Sequence, residues 1–138
     1  MAEQIVPHAE ELAKVMGGEV IFFQAYEPLL RMMSSEAFRS MLEEEVKEAN
    51  KHREEEAKSY LKTMAGPFRE KGLTVSEVVA SGDPADVILD YAESSTVDII
   101  TMSTHGLSGI KRWVFGSVTD KVIHAGDMPV LVARAARQ

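Results

Sequence analysis

The chain of 138 residues contains no cysteine and no long hydrophobic run. Without cysteine it cannot form a disulfide, a thiolate metal site or a thiol nucleophile. No apolar segment approaches the roughly 20 residues that span a membrane, and the N-terminus lacks the basic and apolar regions of a signal peptide. We therefore expect a cytoplasmic protein with no membrane partner.

Positive charge is also scarce, with 15 Lys and Arg against 22 Asp and Glu and a net charge of −7. Residues 1–104 carry 10 basic and 20 acidic side chains, whereas residues 105–138 carry five basic and two acidic ones. A nucleic-acid-binding protein usually has a broad basic face, which is missing here. The local excess of positive charge suits a small anion, and we expect no nucleic-acid partner.

Hydrophobic periodicity predicts helices that alternate with short strands. Gly17-Gly18 indicates the end of the first helix, Asp83-Pro84 the start of a later one, and Gly66-Pro67 a break in the long one. Strands separated by helices pair in parallel, so the fold class is α/β, in one domain over residues 1–138. The predicted helices are 2–16, 35–71, 83–94 and one from residue 117, and the predicted strands are 20–26, 73–80, 99–102 and 129–133.

The most informative segment is Ser103-Thr104-His105-Gly106, followed after nine residues by Gly116-Ser117. It predicts a strand, a loop bracketed by glycines, and a helix for which Ser117 and Asp120 form a start like a capping box. Glycine lets the backbone approach a ligand, and a helix N-terminus attracts anions such as phosphate. A plain loop in which glycine only makes the turn is the alternative, which this motif alone leaves open.

Other motifs favour ordinary structural roles. Gly106-Leu107-Ser108-Gly109 has the GxxG pattern of KH domains, but its context and the acidic chain do not fit that module. No Gly-Lys-(Ser/Thr) follows the glycines, as a P-loop would require. The acidic runs 43–45 and 54–56 are interpreted as the solvated side of the long helix. The four histidines lack metal-ligand spacing, so no metal site is expected.

The glycine motif resembles the nucleotide-binding signature of the universal stress protein family, Gly-x-x-Gly, nine residues, Gly-(Ser/Thr). Ser103 stands where that signature has its first glycine. The segment Gly82-Asp83-Pro84, with Ile88 and Ala92 after it, and the ending 128–132 are also similar to the family's pattern. The resemblance extends over residues 2–134.

Members of that family open with an apolar strand that ends in an aspartate, whereas this sequence begins with a predicted helix. Either the true start therefore lies upstream of Met1, or the chain is an N-terminally shortened variant, and the sequence leaves both alternatives open. Without this central strand, the strand pair 20–26 and 73–80 is expected to lose its neighbour toward the pair 99–102 and 129–133. The chain should then close the gap or borrow a strand from a partner.

The resemblance implies an open, mainly parallel, Rossmann-like sheet with helices on both faces, and binding of ATP or AMP, with or without Mg²⁺. Backbone N–H groups and the hydroxyls of Ser117 and Thr119 would hold phosphates, Ala25 would lie near the base, and His105 would meet phosphate or ribose. The edge Pro129 to Ala133 would pair with a second copy as a homodimer. The expected nucleotide contacts are Ala25, Met102, Ser103, His105, Gly106, Gly116, Ser117, Val118 and Thr119.

No nucleophile, histidine and acid combine into a catalytic set, so we expect a regulatory nucleotide-binding protein rather than an enzyme. The alternative is a dimeric interaction scaffold that binds no nucleotide. A slow ATP-hydrolysing enzyme is a third interpretation.

Overall fold

A computed structural model describes residues 2–29, 35–104 and 115–134 of the chain. The fold is α/β, as predicted. The chain divides into two compact units, one formed by Met1–Gly18 and Ile88–Gln138 and the other by Glu19–Val87. The elements in chain order are a 3-10 helix Ala2–Ile5, α1 Val6–Met16, β1 Val20–Tyr26, α2 Glu36–Met41, α3 Glu43–Glu70, β2 Val75–Ser81, α4 Pro84–Ser94, β3 Ile100–Thr104, α5 Ser117–Ala125 and β4 Val130–Arg134.

The unit Glu19–Val87 contains a parallel pair of strands covered by the long helix α3. β1 and β2 pair from Val20 opposite Val75 to Tyr26 opposite Ser81. α3 packs against both strands, because its apolar side chains recur at helical spacing and form a stripe on one side. The buried residues of this stripe are Val46, Ala57, Leu61, Ala65 and Phe68.

The other unit contains a second parallel pair, β3 and β4, in register from Ile100 opposite Val130 to Thr104 opposite Arg134. The 3-10 helix contacts both strands, and α5 contacts β3. Pro7 lies within the first two positions of α1, where its missing N–H costs no helical hydrogen bond. The predicted helix 2–16 is thus a 3-10 turn followed by an α-helix.

Among the described residues, the four strands form two separate two-stranded sheets, β1 with β2 and β3 with β4. Whether a strand from a partner joins either pair stays open as a prediction, as does the assignment of residues 1–138 to one domain.

The long helix differs from its prediction in two places. Leu42 leaves the helical conformation (φ −111°, ψ 19°) and separates α2 from α3. The predicted break near Gly66-Pro67 is wrong, because α3 continues through Pro67 to Glu70. The ring of a proline normally clashes with the Cβ of the preceding residue, and Gly66 has none.

The predicted helix ends are confirmed. Gly17 ends α1 in the left-handed conformation (φ 61°), which glycine adopts without steric cost. At the start of α4, the Asp86 N–H donates to Asp83 Oδ1 at 3.2 Å, so Asp83 caps the helix and Pro84 is its first residue.

Candidate functional site

The N-terminus of α5 has main-chain donors that are not used by the hydrogen bonds of the helix itself. The first helical hydrogen bond runs from the Asp120 N–H to the Gly116 carbonyl at 2.9 Å. The helix therefore supplies no acceptor for the N–H groups of Ser117, Val118 and Thr119. These donors, together with the positive end of the helix dipole, can bind an anion such as phosphate.

The predicted capping box at this helix is wrong. Gly116 is the N-cap, Ser117 is the first helical residue, and no side chain caps the helix. Ser117 is the first residue of the helix and does not cap it. Its side chain is exposed to solvent.

Gly116 is not required by the local geometry of the described residues. Its φ of −61° and ψ of 158° are extended values that any residue adopts. A Cβ added at Gly116 would meet no described atom within 4 Å. Serine or aspartate would cap the helix at least as well as glycine. Among the described residues, the space beside the Gly116 Cα is therefore open.

The other predicted residues at the start of α5 differ in accessibility. Val118 is half-buried, and Thr119 is only 4% exposed. Thr119 and Val122 are the buried residues of this helix. Of the predicted contact residues at this end of α5, the exposed ones are thus Gly116 and Ser117.

β3 extends further than predicted. Met102 pairs with Val132 and Ser103 with Ala133 inside the ladder, so Ser103 is a strand residue and not the first residue of the loop. Thr104 is the last residue of the strand and is 5% exposed. The predicted contacts His105 and Gly106 lie outside the described residues, as do the basic Lys111 and Arg112.

Ala25, the predicted contact to the base, lies in β1 opposite Ala80 of β2. Successive side chains of a strand point to opposite faces, and Phe22 points toward α3, where its ring meets Phe68. Ala25 therefore faces away from α3. Its side chain is small and half-buried, which suits a flat ligand group.

The first turn of α5 carries an acidic side chain that contacts a histidine of the same helix. Asp120 is the one acidic residue in the first turn. Its carboxylate lies 3.5 Å from His124 Nδ1, and the same ring nitrogen lies 2.8 Å from the Asp120 carbonyl.

Metal and membrane features are absent from the described residues. Ranges 2–29, 35–104 and 115–134 contain no group of three or more side chains that could hold a metal ion. In the same ranges, no helix combines the length and the hydrophobicity needed to cross a bilayer.

Two contacts near the end of β1 were not predicted from the sequence. Asn50 Oδ1 accepts a hydrogen bond from the Leu29 N–H at 2.9 Å, and Arg53 Nη1 donates to the Glu27 carbonyl at 2.9 Å. A polar helix side predicts exposed side chains, so the pattern of α3 gave no sign that Asn50 and Arg53 bind a segment more than 20 residues away.

The chain is similar to proteins of one family. A model of the universal stress protein family matches residues 1–134. A universal stress protein of Methanocaldococcus jannaschii is 36% identical over 80 residues, which make up 58% of this chain and 49% of that protein. The match thus spans about half of that relative. A second protein of the same family and organism is 30% identical over 133 residues, covering 95% of this chain and 74% of the relative.

Solved structures share the fold. The structure of the first of these relatives matches with a TM-score of 0.78 at 27% identity, covering 99% of this chain and 89% of that one. A universal stress protein solved in complex with cAMP matches with a TM-score of 0.58 at 19% identity, over 98% of this chain and 88% of its own. A family member from Arabidopsis thaliana with AMP bound matches with a TM-score of 0.56 at 17% identity, over 94% and 77%.

Proposed function

Since this chain belongs to the universal stress protein family, we propose that it binds an adenine nucleotide and acts as a regulatory protein rather than as an enzyme. Two family members with the same fold are solved with cAMP and with AMP. The nucleotides bound to these two proteins support the proposal that this chain binds an adenine nucleotide, with ATP or AMP as the first candidates. The proposed location is the cytoplasm.

The observation that carries the proposal is Gly116 at the start of α5. Neither its backbone angles nor the packing of described residues requires glycine there. Glycine does, however, allow a phosphate oxygen to approach the N–H groups of the first helical turn. Ser117 adds an exposed hydroxyl at the same helix end.

The proposed phosphate contacts are the main-chain N–H groups at the start of α5 and the Ser117 hydroxyl. Ala25, in the unit Glu19–Val87, stays the predicted contact to the base. The described residues offer no carboxylate cluster for Mg²⁺. A Mg²⁺ ion that accompanies ATP would therefore be held mainly by phosphate oxygens and water.

Gly116→Val tests this proposal by calorimetric titration with AMP and ATP, each with and without Mg²⁺. An added Cβ meets no described atom, whereas the valine side chain would occupy the proposed space of the phosphate, so we expect affinity to fall roughly tenfold or more. Gly18→Val is the matched control, because Gly18 is also exposed and has no described atom within 4 Å of an added Cβ. Equal affinity of wild type and Gly116→Val, or no binding by the wild type, would contradict the proposal.

A dimeric scaffold without nucleotide is the second candidate function, and the β4 edge favours it. Among the described residues β4 pairs only with β3, and Leu131 on β4 is 37% exposed. Such an edge can pair with the same edge of a second copy. We propose this homodimer for the nucleotide-binding function as well. Light scattering measures the dimer. A dimer that gives no heat with AMP or ATP would favour the scaffold, whereas steady release of ADP would favour an enzyme.

A further inference from the structure

The main chain at the end of β1 and just after it is held by three hydrogen bonds, at residues 26, 27 and 29. The Tyr26 carbonyl accepts a hydrogen bond from the Gly82 N–H at 2.9 Å. The Glu27 carbonyl then accepts one from Arg53, and the Leu29 N–H donates to Asn50, each at 2.9 Å. Of these points, the second and third depend on α3 side chains that lie three residues apart. Residues three apart share one side of a helix.

Both α3 contacts are tertiary hydrogen bonds to the backbone. They are half-buried and link residues 21 and 26 positions apart. A bond to the main chain fixes the path of the segment whatever its side chains are. The Arg53 bond also has a charged donor, and such bonds are stronger than neutral ones.

Asn50 and Arg53 thus lie within one helical turn of α3 and bind the main chain at residues 29 and 27. This turn of α3 holds the segment that follows β1.

We propose that Asn50 and Arg53 are positioning residues for nucleotide binding, because they hold the carboxyl end of β1 in the conformation that receives the base at Ala25. The inference rests on the proposed function. Neither residue touches the ligand in this assignment. They act by keeping the main chain of Glu27 and Leu29 in one arrangement.

α3 does not need these two bonds in order to pack on its sheet. Its buried stripe already contacts β1 and β2, and Arg69 binds Glu77 on β2. Loss of Asn50 or Arg53 should therefore free residues 27–29 while α3 stays in place. A protein whose binding-competent state is less populated binds its ligand more weakly by the same factor.

The test compares Asn50→Leu, Arg53→Met and their matched controls. Asn50→Asp keeps an acceptor at the same position, and Arg53→Lys keeps a cationic donor. Lys51→Met removes the charge of an exposed side chain that lies between the two positions. AMP affinity is measured by calorimetry, exchange of the Leu29 amide by hydrogen exchange, and global stability by urea unfolding.

We expect Asn50→Leu and Arg53→Met to bind AMP about tenfold more weakly, with faster exchange at Leu29 in Asn50→Leu. Asn50→Asp should restore affinity to within about twofold, and Lys51→Met should bind like the wild type. A purely structural role would change urea stability but not AMP affinity measured on the folded protein. If Asn50→Leu does not fold, Arg53→Met and its rescue by Arg53→Lys decide the question.

The two possible failures are distinguishable. Absence of AMP and ATP binding by the wild type would overturn the proposed function. Wild-type binding with unchanged affinity in the folded Asn50→Leu and Arg53→Met variants would overturn the positioning role alone.

Discussion

The rings of Phe22 on β1 and Phe68 on α3 meet edge to face, with centroids 5.1 Å apart and planes at 73°. This arrangement places the positive edge of one ring against the negative face of the other. Phe68 is 1% exposed, which makes it one of the most deeply buried large side chains of the described residues. The contact fixes the C-terminal half of α3 on the sheet that carries Ala25.

Phe68→Ala is expected to lower the free energy of unfolding by about 3–5 kcal/mol, because it removes the ring contact and leaves a cavity. The measurement is urea unfolding followed by circular dichroism. Phe38→Ala is the control, since Phe38 is 51% exposed, and it should change stability by about 0.5 kcal/mol or less. Similar losses for the two variants would contradict the assignment of Phe68 to the core.

Much of the fold follows from local signals. β1 was predicted over 20–26 and is observed as Val20–Tyr26, because a bounded apolar run is typical of a buried strand. Gly17 and Asp83 mark helix ends through their own conformation and hydrogen bonding. Such features depend on a few neighbouring residues, so they can be read from the sequence.

Other features depend on contacts that sequence patterns do not encode. The interruption at Leu42 is not marked by glycine or proline, and Pro67 remains inside α3. The strand β3 continues through Ser103 because it pairs with Ala133 of β4. The Asn50–Leu29 bond joins residues 21 positions apart. The helix start near residue 117 was predictable, but only the geometry of Gly116 shows that the glycine leaves space open.

Glu77 on β2 and Arg69 on α3 form a bidentate pair, with Nη1–Oε1 at 2.9 Å and Nη2–Oε2 at 2.7 Å. The hydrogen bonds from Arg69 lower the pKa of the Glu77 carboxyl and outweigh partial burial, which raises it. The pair therefore stabilises the folded state above the ordinary pKa of Glu, about 4.3. That contribution is lost as the pH falls through the lower pKa of the folded state.

Glu77→Gln should accordingly be less stable than the wild type near neutral pH, and the difference should shrink in acid. Urea unfolding across this pH range checks the prediction. Glu70→Gln, an exposed change close to Arg69 in sequence, is the matched control for the removal of one carboxylate. A gap between wild type and Glu77→Gln that grows in acid would contradict the sign of the pKa shift.

Two glycines should resist replacement by alanine for different reasons. Gly66 lies inside α3 directly before Pro67, and a Cβ at this position would meet the proline ring, so Gly66→Ala should lower the free energy of unfolding. Gly17 has a φ of 61°, so Gly17→Ala should lower it by about 1–2 kcal/mol. Gly18→Ala is the control, because an added Cβ there meets no described atom within 4 Å, and it should change stability by about 0.5 kcal/mol or less. Thermal unfolding compares the three variants, and a Gly66→Ala protein more stable than the wild type would contradict the steric role of Gly66.

Gln24 shares the α3-facing side of β1 with Phe22, and its Oε1 atom is buried without a hydrogen-bond partner in the described part of the chain. A buried acceptor without a partner costs about 1–3 kcal/mol. Methionine has nearly the same length and no acceptor of comparable strength, so Gln24→Met should raise the free energy of unfolding by about 1 kcal/mol. Gln24→Glu, which buries a charge at the same place, should lower it by more than about 2 kcal/mol. Urea midpoints with unchanged slopes measure both effects, and a Gln24→Met protein less stable than the wild type would mean that the Gln24 oxygen has a partner in solution.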